Sequence, residues 1–385
     1  MTSHVFPDLD RLQRRSTIVG VVALALCGAG ALLSPSQFFH SYLMGFLLWL
    51  GIALGCLAFV MIHHLSGGAW GAAFRPLLEA ATRTMPVLAL LWVPILFGLR
   101  PLYLWARPEA VAMDEVLQHK HLYLNVPFFL ARAVLYFALW SLFAFFLNRG
   151  SLEQQRAEDE PGARRLRRLS AGGLVVYVLT ITFASIDWVM SLEPHWFSTI
   201  FGLLFIGGQG LGALAFVIAS AVLLFERMGF ARSITPQNFH DLGNLLLAFV
   251  MLWAYLAFSQ FLIIWSGNLP EEIPWYVHRL QSGWQWIGLT LVVFHFAVPF
   301  MLLLSRTTKR AGRTLALVAA GVIVMRLVDL FWLIAPELHQ EGLRVHWLDF
   351  LAPIGIGGIW LAAFTWQLKA RSADEARLAL EVEAR

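Results

Sequence analysis

Ten stretches of this 385-residue chain are long and apolar enough to cross a lipid bilayer. A helix needs about 20 consecutive, mostly apolar residues to span the hydrocarbon core. The ten windows are 16–34, 38–64, 84–105, 126–147, 171–192, 199–225, 243–265, 284–304, 314–335 and 346–368. Apolar and polar residues do not alternate in them as they do in the strands of a membrane barrel. The sequence therefore predicts an all-α, polytopic membrane protein of about ten transmembrane helices.

The composition supports the same class. Hydrophobic residues make up 59% of the chain and charged residues 14%, which is too little polar surface for a soluble globule of this size. The most polar connection, predicted as a loop over 148–170, is too short to form a core of its own. Residues 1–385 are therefore expected to form a single integral membrane domain, whose first span, lacking a cleavage-site pattern, stays in the mature protein. Cys27 and Cys56 fall inside spans without a C-x-x-C pattern, so no iron–sulfur cluster, c-type haem or disulfide is expected.

Basic residues predict the orientation. Most of the 28 Lys and Arg residues fall in segments on the side of the N-terminus, and such residues are enriched on the cytoplasmic side of membrane proteins. Both termini are therefore predicted to be cytoplasmic. The run Arg164 to Arg168 is interpreted as facing anionic lipids, and no nucleic-acid partner is expected.

Ionisable residues inside spans are costly in lipid and often functional. The outer half of the predicted spans contains His40, Arg100, Arg132, Asp187, Asp329 and Asp349, and His295 and Arg326 lie near mid-depth. Arg326 and Asp329 share a helix face and can form an ion pair, either for packing or for proton transfer. No second mid-depth histidine matches His295, so a bis-histidine haem is not expected, and no metal site is predicted. We take His295, Arg326, Asp329 and Asp349 as a candidate proton route.

The segment SIDWVMSLEPHWFST, residues 185–199, ends a span with an unusual set of polar groups. A carboxylate beside an aromatic cleft could take a proton from a hydroquinone. The alternative is that Asp187 only fastens the helix end through bonds to tryptophan or backbone groups. The candidate quinol and proton site consists of Asp187, Glu193, His195, Trp188, His40 and Arg132.

Tryptophans and glycines give two further expectations. Nine tryptophans are predicted at the outer face and two, Trp70 and Trp366, at the inner one; the nine are Trp105, Trp188, Trp196, Trp265, Trp275, Trp284, Trp286, Trp332 and Trp347. They indicate either an ordinary aromatic belt or a docking surface for a partner. The pairs Gly51/Gly55 and Gly208/Gly212 have the spacing that permits close helix packing.

Five longer stretches resemble a known family. They are FFHSYLMGFLLWLGIALGCLA (Phe38 to Ala58), HHLSGGAWG (His63 to Gly71), HKHLYLN (His119 to Asn125), DWVMSLEPHWFSTIFG (Asp187 to Gly202) and HWLDFLAPIGIGGIW (His346 to Trp360). These stretches are similar to the ActF-like membrane subunits of bacterial alternative complex III, a quinol:cytochrome c oxidoreductase. That family belongs to the NrfD and polysulfide-reductase-like membrane proteins.

The resemblance implies two four-helix bundles plus two further helices in the bacterial inner membrane. It implies quinone or menaquinone binding, a proton path, or both, with no haem or iron–sulfur cluster held by this chain and no catalysis by this chain alone. The implied partners are a multihaem cytochrome c subunit, a large iron–sulfur subunit of molybdopterin-enzyme ancestry, an ActC-like sister subunit and small accessory subunits. Membrane lipids and a terminal cytochrome oxidase are further expected partners.

Two other functions stay open at the level of sequence. A purely structural anchor subunit would satisfy its buried polar groups internally. A secondary transporter would also suit ten spans with buried charges, although the sequence has no recognisable inverted repeat or matched pair of broken helices.

Overall fold

The computed structural model describes residues 7–157, 160–228 and 235–383. This described part is 87% helical without a strand, and ten of its helical segments are long and apolar enough to cross a membrane. The prediction of an all-α, multi-pass membrane protein is confirmed.

The helices follow each other in two runs. The first contains α1 (Pro7–Leu33), α2 (Pro35–Ser66), α3 (Ala69–Thr82), α4 (Met85–Leu96), α5 (Leu99–Leu102), α6 (Pro108–Met113), α7 (Glu115–Lys120), α8 (Val126–Ala157) and α9 (Glu160–Trp188). The second contains α10 (Phe201–Met228), α11 (Pro236–Gly267), α12 (Ile273–Arg279), α13 (Trp284–Thr290), a π-helical segment (Leu291–Ala297), α14 (Val298–Leu304), α15 (Arg306–Arg310), α16 (Gly312–Leu338) and α17 (Leu348–Glu383). Two 3₁₀ turns, Leu104–Ala106 and Met190–Leu192, lie in loops.

The third span differs from its predicted position. It was expected at 84–105, but the spanning segment is Trp70–Leu96. Its first half contains Arg75 and Glu79, which lower the hydropathy of a sequence window although Glu79 is fully buried in the structure. Its second half ends at Leu96, and Phe97 and Gly98 form a turn before the short α5. Arg100 therefore lies exposed on the short α5 rather than inside a span.

The predicted polar loop over 148–170 is mostly helix. Helix α8 continues to Ala157 and α9 begins at Glu160, while residues 158 and 159 of the predicted loop lie outside the described part. Glu, Gln, Arg, Leu and Ala dominate this segment, and all five are good helix formers. Arg164 to Arg168 consequently lie on the first turns of α9.

Contacts between helices group the spans into two bundles and a pair. One bundle contains α2, α3 with α4, α8 and α9, and the other contains α10, α11, α13 with α14, and α16. Helices α1 and α17 pack against each other and α17 packs on α2. This agrees with two four-helix bundles plus two helices. The 148–170 segment does not separate the bundles, because α8 and α9 on either side of it belong to the same one.

The two bundles meet where α2 and α10 pack face to face. In each helix 89% of the apolar window is buried, more than in the other spanning segments found. A Cβ built at Gly55 would lie 2.3 Å from the backbone oxygen of Gln209 and 2.6 Å from the Cβ of Ala213. The close approach predicted for the Gly51/Gly55 spacing is confirmed, because only glycine fits at position 55 without moving the helices apart.

Replacing Gly55 by alanine is expected to push α2 and α10 apart. Overpacking of a filled interior costs about 1–3 kcal/mol, so the variant should unfold at a lower temperature than the parent in the same detergent. Gly28→Ala is the matched control, since nothing lies within 4 Å of a Cβ built there and the residue is also helical. Equal melting temperatures for the two variants would contradict the assigned role of Gly55.

Candidate functional site

The carboxylate of Asp187 is held by hydrogen bonds from two side chains of α8. Arg132 donates two hydrogen bonds to its carboxylate, at 2.8 and 2.9 Å, and the Tyr136 hydroxyl donates a third at 2.7 Å. Arg132 and Tyr136 lie one turn apart on α8, so both reach the same carboxylate. The Arg132 guanidinium also covers the ring of Tyr123 at 3.9 Å. Asp187 is fully buried, and the structure brings it together with Arg132 as one cross-helix ion pair.

Trp188 is part of an aromatic cluster beside this pair. Its indole packs against Phe46, Trp92, Phe137 and Trp140, with ring centroids 5.9–6.3 Å apart. Its side chain is 1% exposed, so it lines packed core rather than an open cleft.

Glu193, His195 and His40 each have a separate partner. Glu193 accepts a hydrogen bond from Arg279 at 2.5 Å, and His195 Nε2 lies 2.6 Å from a carboxylate oxygen of Asp114. His40 Nδ1 lies 2.8 Å from the carbonyl oxygen of Ser36 on its own helix. The six residues proposed as one quinol and proton site are therefore distributed over several contacts, and only Asp187 and Arg132 bind each other.

Arg279 was not singled out from the sequence. In the structure it connects α12 to the loop that contains Glu193 and to α16. It is fully buried, stacks on Trp275 at 3.7 Å, and donates to the carbonyl oxygens of Trp332 and Leu333 at 3.2 and 3.1 Å. Burial lowers the pKa of Arg279, and the neighbouring Glu193 carboxylate opposes that shift. Glu193 therefore contacts α12 through Arg279 and does not bind Asp187.

The tryptophans predicted at the outer face are mostly interior. Five of the nine, Trp105, Trp188, Trp196, Trp275 and Trp284, are at most 5% exposed. Trp196 and Trp275, for example, stack at 4.7 Å. These five side chains are therefore not available to a docking partner, and the interpretation of the nine tryptophans as a docking surface does not apply to them. Trp265, Trp286 and Trp347 are exposed.

A second buried cluster forms around Asp329 on α16. Arg326 and Asp329 form an ion pair within the helix, as their spacing predicts, and Trp253 of α11 donates to the same carboxylate at 3.1 Å. The guanidinium of Arg326 occupies the space beside Gly208, where a Cβ would lie 2.4 Å from its central carbon. The glycine at 208 therefore accommodates a charged side chain rather than a neighbouring backbone.

His295 belongs to this cluster through a ring contact. It is fully buried, lies edge-on to Trp253 at 4.4 Å, and neither ring nitrogen has a hydrogen-bond partner in the part of the chain that the structure describes. It lies in the π-helical segment, one turn before Pro299. Pro299 has no N–H for the carbonyl of His295, which explains the local widening of the helix. Such segments are frequent at functional sites.

Asp349 is not part of the Asp329 cluster. It accepts hydrogen bonds from Ser41 at 2.6 Å, Gln37 at 2.9 Å and the backbone N–H of His346 at 2.8 Å. These contacts connect the start of α17 to α2. Of the four residues proposed as a proton route, the structure brings together His295, Arg326 and Asp329.

An apolar cavity of about 750 Å³ adjoins Asp329. Its lining is dominated by apolar and aromatic side chains of α11, α12, the α13 region and α16, with few polar groups. The lining includes Leu204, Met251, Trp253, Tyr255, Ala257, Phe258, Gln260, Phe261, Tyr276, Leu289, Val292, Phe296, Asp329 and Trp332. Cavities of this volume with a few convergent polar groups are typical of small-molecule sites.

Gln260, Tyr276 and Trp332 are among the polar side chains that line the cavity with Asp329. Gln260 is buried, and the indole nitrogen of Trp332 has no hydrogen-bond partner among the described residues. Burial raises the pKa of the Tyr276 phenol, and a hydrogen bond with Gln260 opposes this shift. Gln260 and Tyr276 were not singled out from the sequence. The signal that could have found Gln260 is its seven-residue spacing from Trp253, which places both on one face of α11.

The cavity opens at the side of the bundle. Tyr255, Phe258 and Leu289 belong to its lining and are 51–67% exposed. In a multi-pass membrane protein such exposed apolar side chains face lipid or another membrane subunit. A membrane-soluble molecule can therefore reach Asp329 without crossing an aqueous phase.

Comparisons with known proteins give no match. Neither the models of known protein families nor the curated proteins match this chain. Among the described residues, no group of three or more His, Cys, Asp or Glu side chains is arranged to hold a metal ion.

A double-mutant cycle tests the Asp187–Arg132 pair. Arg132→Gln leaves a buried carboxylate without its cation, which costs about 3–5 kcal/mol. Combining it with Asp187→Asn should restore part of that loss, so the two effects are not additive. The measurement is the free energy of unfolding in detergent for the four proteins.

The control is Arg149→Gln with Glu153→Gln, an exposed ion pair on the same helix α8. Exposed pairs contribute about 0–1 kcal/mol. Strictly additive effects at 132 and 187, or a loss as small as that of the control, would contradict the structural role of the pair.

Proposed function

We propose that this chain is a membrane subunit of a respiratory quinol:cytochrome c oxidoreductase of the alternative complex III type, and that it binds hydroquinone in the cavity beside Asp329. The observation that carries the proposal is a laterally open, aromatic cavity with one buried carboxylate in its wall. The similarity of the five sequence stretches to ActF-like subunits supports the choice of complex.

The cavity suits an amphiphile with a polar ring and an apolar tail. The side chains at its mouth, such as Tyr255 and Phe258, offer surface to an isoprenoid chain, while Gln260, Tyr276 and Asp329 offer hydrogen bonds to ring hydroxyls. A transporter for a polar solute would instead need a polar path through the bundle.

Oxidation of a hydroquinone releases two electrons and two protons. This chain contributes a proton acceptor, for which Asp329 is suited because it lines the cavity and is a carboxylate held by Arg326. A general base has to lie within hydrogen-bond reach of the proton that it takes. The electrons go to redox centres of the partner subunits, which are the multihaem cytochrome c and iron–sulfur subunits implied by the resemblance.

Asp329 is better placed than Asp187 to accept the proton of a hydroquinone. The Asp187 carboxylate is bound by Arg132 and Tyr136 inside packed core, whereas Asp329 adjoins the cavity. In this proposal Asp187 fastens α9 to α8, and His295 lies where a proton leaving Asp329 would pass.

We propose that the chain lies in the bacterial inner membrane with both termini on the cytoplasmic side. The excess of Lys and Arg on the side of the N-terminus supports this orientation. The loop end that holds Glu193 and Arg279 would then face the periplasm, on the side where the redox partners are expected.

A second candidate function is a structural anchor. This function is favoured by the hydrogen bonding of two buried carboxylates, because Asp187 and Asp349 each accept three hydrogen bonds from other groups of this chain. In that case filling the cavity would leave quinol oxidation unchanged.

The test is made on the complex that co-purifies with the tagged chain from its native membranes. Ala257→Trp places a large ring in the cavity, and we expect quinol:cytochrome c reductase activity to fall about tenfold or more, which corresponds to about 1.4 kcal/mol. Leu262→Trp is the control, an exposed position on the same helix outside the cavity lining. Equal activities of the two variants would support the anchor instead.

Asp329→Asn separates proton transfer from binding. We expect it to lower kcat with little change in KM, because a carboxamide fills the same space but accepts no proton at neutral pH. Asp241→Asn, at a partly exposed carboxylate of α11 that lies outside the cavity lining, is the control. Unchanged kcat in Asp329→Asn would remove this residue from the mechanism.

A chain that purifies without a haem protein would contradict membership of the complex.

A further inference from the structure

Two adjoining cavities lie at the end of the bundle opposite to the Glu193 loops. The smaller, about 330 Å³, lies between the end of α2, the start of α3 and the facing ends of α8 and α9. The larger, about 1000 Å³, lies between α8 and α9. Both are lined by Gln154 and Leu166, so they lie side by side, and together they are called the groove.

The smaller cavity is lined by cationic and hydrogen-bonding groups. Arg75, Arg167, His63 and His64 contribute to it, and no carboxylate does so among the described residues. His64 Nδ1 lies 3.1 Å from the Ser170 hydroxyl, while its Nε2 and the Nδ1 of His63 have no partner in the described part of the chain.

The positive charge of this cavity is only partly neutralised. Glu79 lies 3.4 Å from Arg75, but the same carboxylate also accepts a hydrogen bond from Arg371 at 2.6 Å. One carboxylate is thus shared by two guanidinium groups. Arg167 lies 3.7 Å from Glu160, whose side chain is 78% exposed, and such a pair is weak in water.

The larger cavity adds apolar surface to the groove. Phe146, Leu166 and Leu169 line it together with the basic residues Arg149, Arg165 and Arg168 and with one carboxylate, Glu153, which pairs with Arg149. A free phosphate ion has no use for this apolar surface, whereas an acyl chain does. The groove lies at the ends of spanning helices, which is where lipid headgroups are expected around a multi-pass protein.

We propose that this groove is a binding site for an anionic phospholipid, with the lipid phosphate in the small cavity among Arg75, Arg167 and His64 and an acyl chain along Phe146 and Leu169. Guanidinium groups bind phosphate oxygens through charge-assisted hydrogen bonds. Basic pockets between helices on the cytoplasmic side are typical of such lipid sites. The bound lipid would join α2 and α3 to α8 and α9, and this site is independent of the cavity at Asp329.

The test is a titration with phosphatidylglycerol, followed by native mass spectrometry of the chain and the subunits that co-purify with it in mild detergent. Arg75→Gln with Arg167→Gln is expected to weaken binding of the most tightly held lipid about tenfold or more, as expected for the loss of charge-assisted bonds. Arg306→Gln with Arg310→Gln is the control, because these exposed arginines lie at the same end of the bundle and the same charge is removed.

Two further arms distinguish the sources of the phosphate group. Inorganic phosphate should not displace the lipid, and phosphatidylcholine should bind the parent more weakly than phosphatidylglycerol. Displacement by inorganic phosphate would mean a site for free anions, and equal losses in the two double variants would mean unspecific attraction; either overturns the proposal. Arg167→Gln alone, at a half-exposed side chain, provides the test if the double variant does not fold.

Discussion

Burying a carboxylate in a helical bundle surrounded by lipid costs several kcal/mol unless a donor stabilises its charge. Every buried Asp and Glu side chain described in this bundle has such a donor. Asp187, Asp329 and Glu79 each bind an arginine, and Asp349 binds Ser41 and Gln37. Most of these partners lie on another helix. The pairing therefore determines which helices are neighbours, and it limits buried carboxylates to positions that face a donor. Packing at Gly55 then brings the two halves of the molecule into contact.

The ion pair of Asp329 differs from the others in a way that bears on function. Arg132 with Asp187 joins α8 to α9, and Arg371 with Glu79 joins α17 to α3, so loss of either pair separates helices. Arg326 and Asp329 lie on the same helix, so their ion pair joins no helices, and the one cross-helix bond described for this carboxylate comes from the Trp253 indole of α11. A change of charge at Asp329 therefore leaves the cross-helix ion pairs intact, although it removes the counter-ion of the buried Arg326. The same carboxylate adjoins the apolar cavity, which makes it the buried acid best placed to exchange a proton with a bound molecule.

Hydropathy was sufficient to predict ten spans, because the cost of exposing backbone to lipid leaves long apolar helices as the available structure. It misplaced the third span, where Glu79 interrupts the apolar run but is buried against Arg371, a residue 292 positions away. The Arg326–Asp329 pair was predictable from local spacing. The pairing of Glu193 with Arg279 was not, since it depends on how distant loops pack, and neither was the cavity, which arises between helices rather than within one.

The most direct test of hydroquinone binding beside Asp329 is to locate a photoreactive quinone after illumination of the co-purified complex. Peptide mass spectrometry identifies the labelled residues, with excess unlabelled quinone as the competitor. Binding in the cavity predicts competed label between residues 251 and 261 of α11 or between 288 and 296, which both line it. Label confined to the surroundings of Asp187 and Arg132, or to other subunits alone, would contradict a quinol site at Asp329.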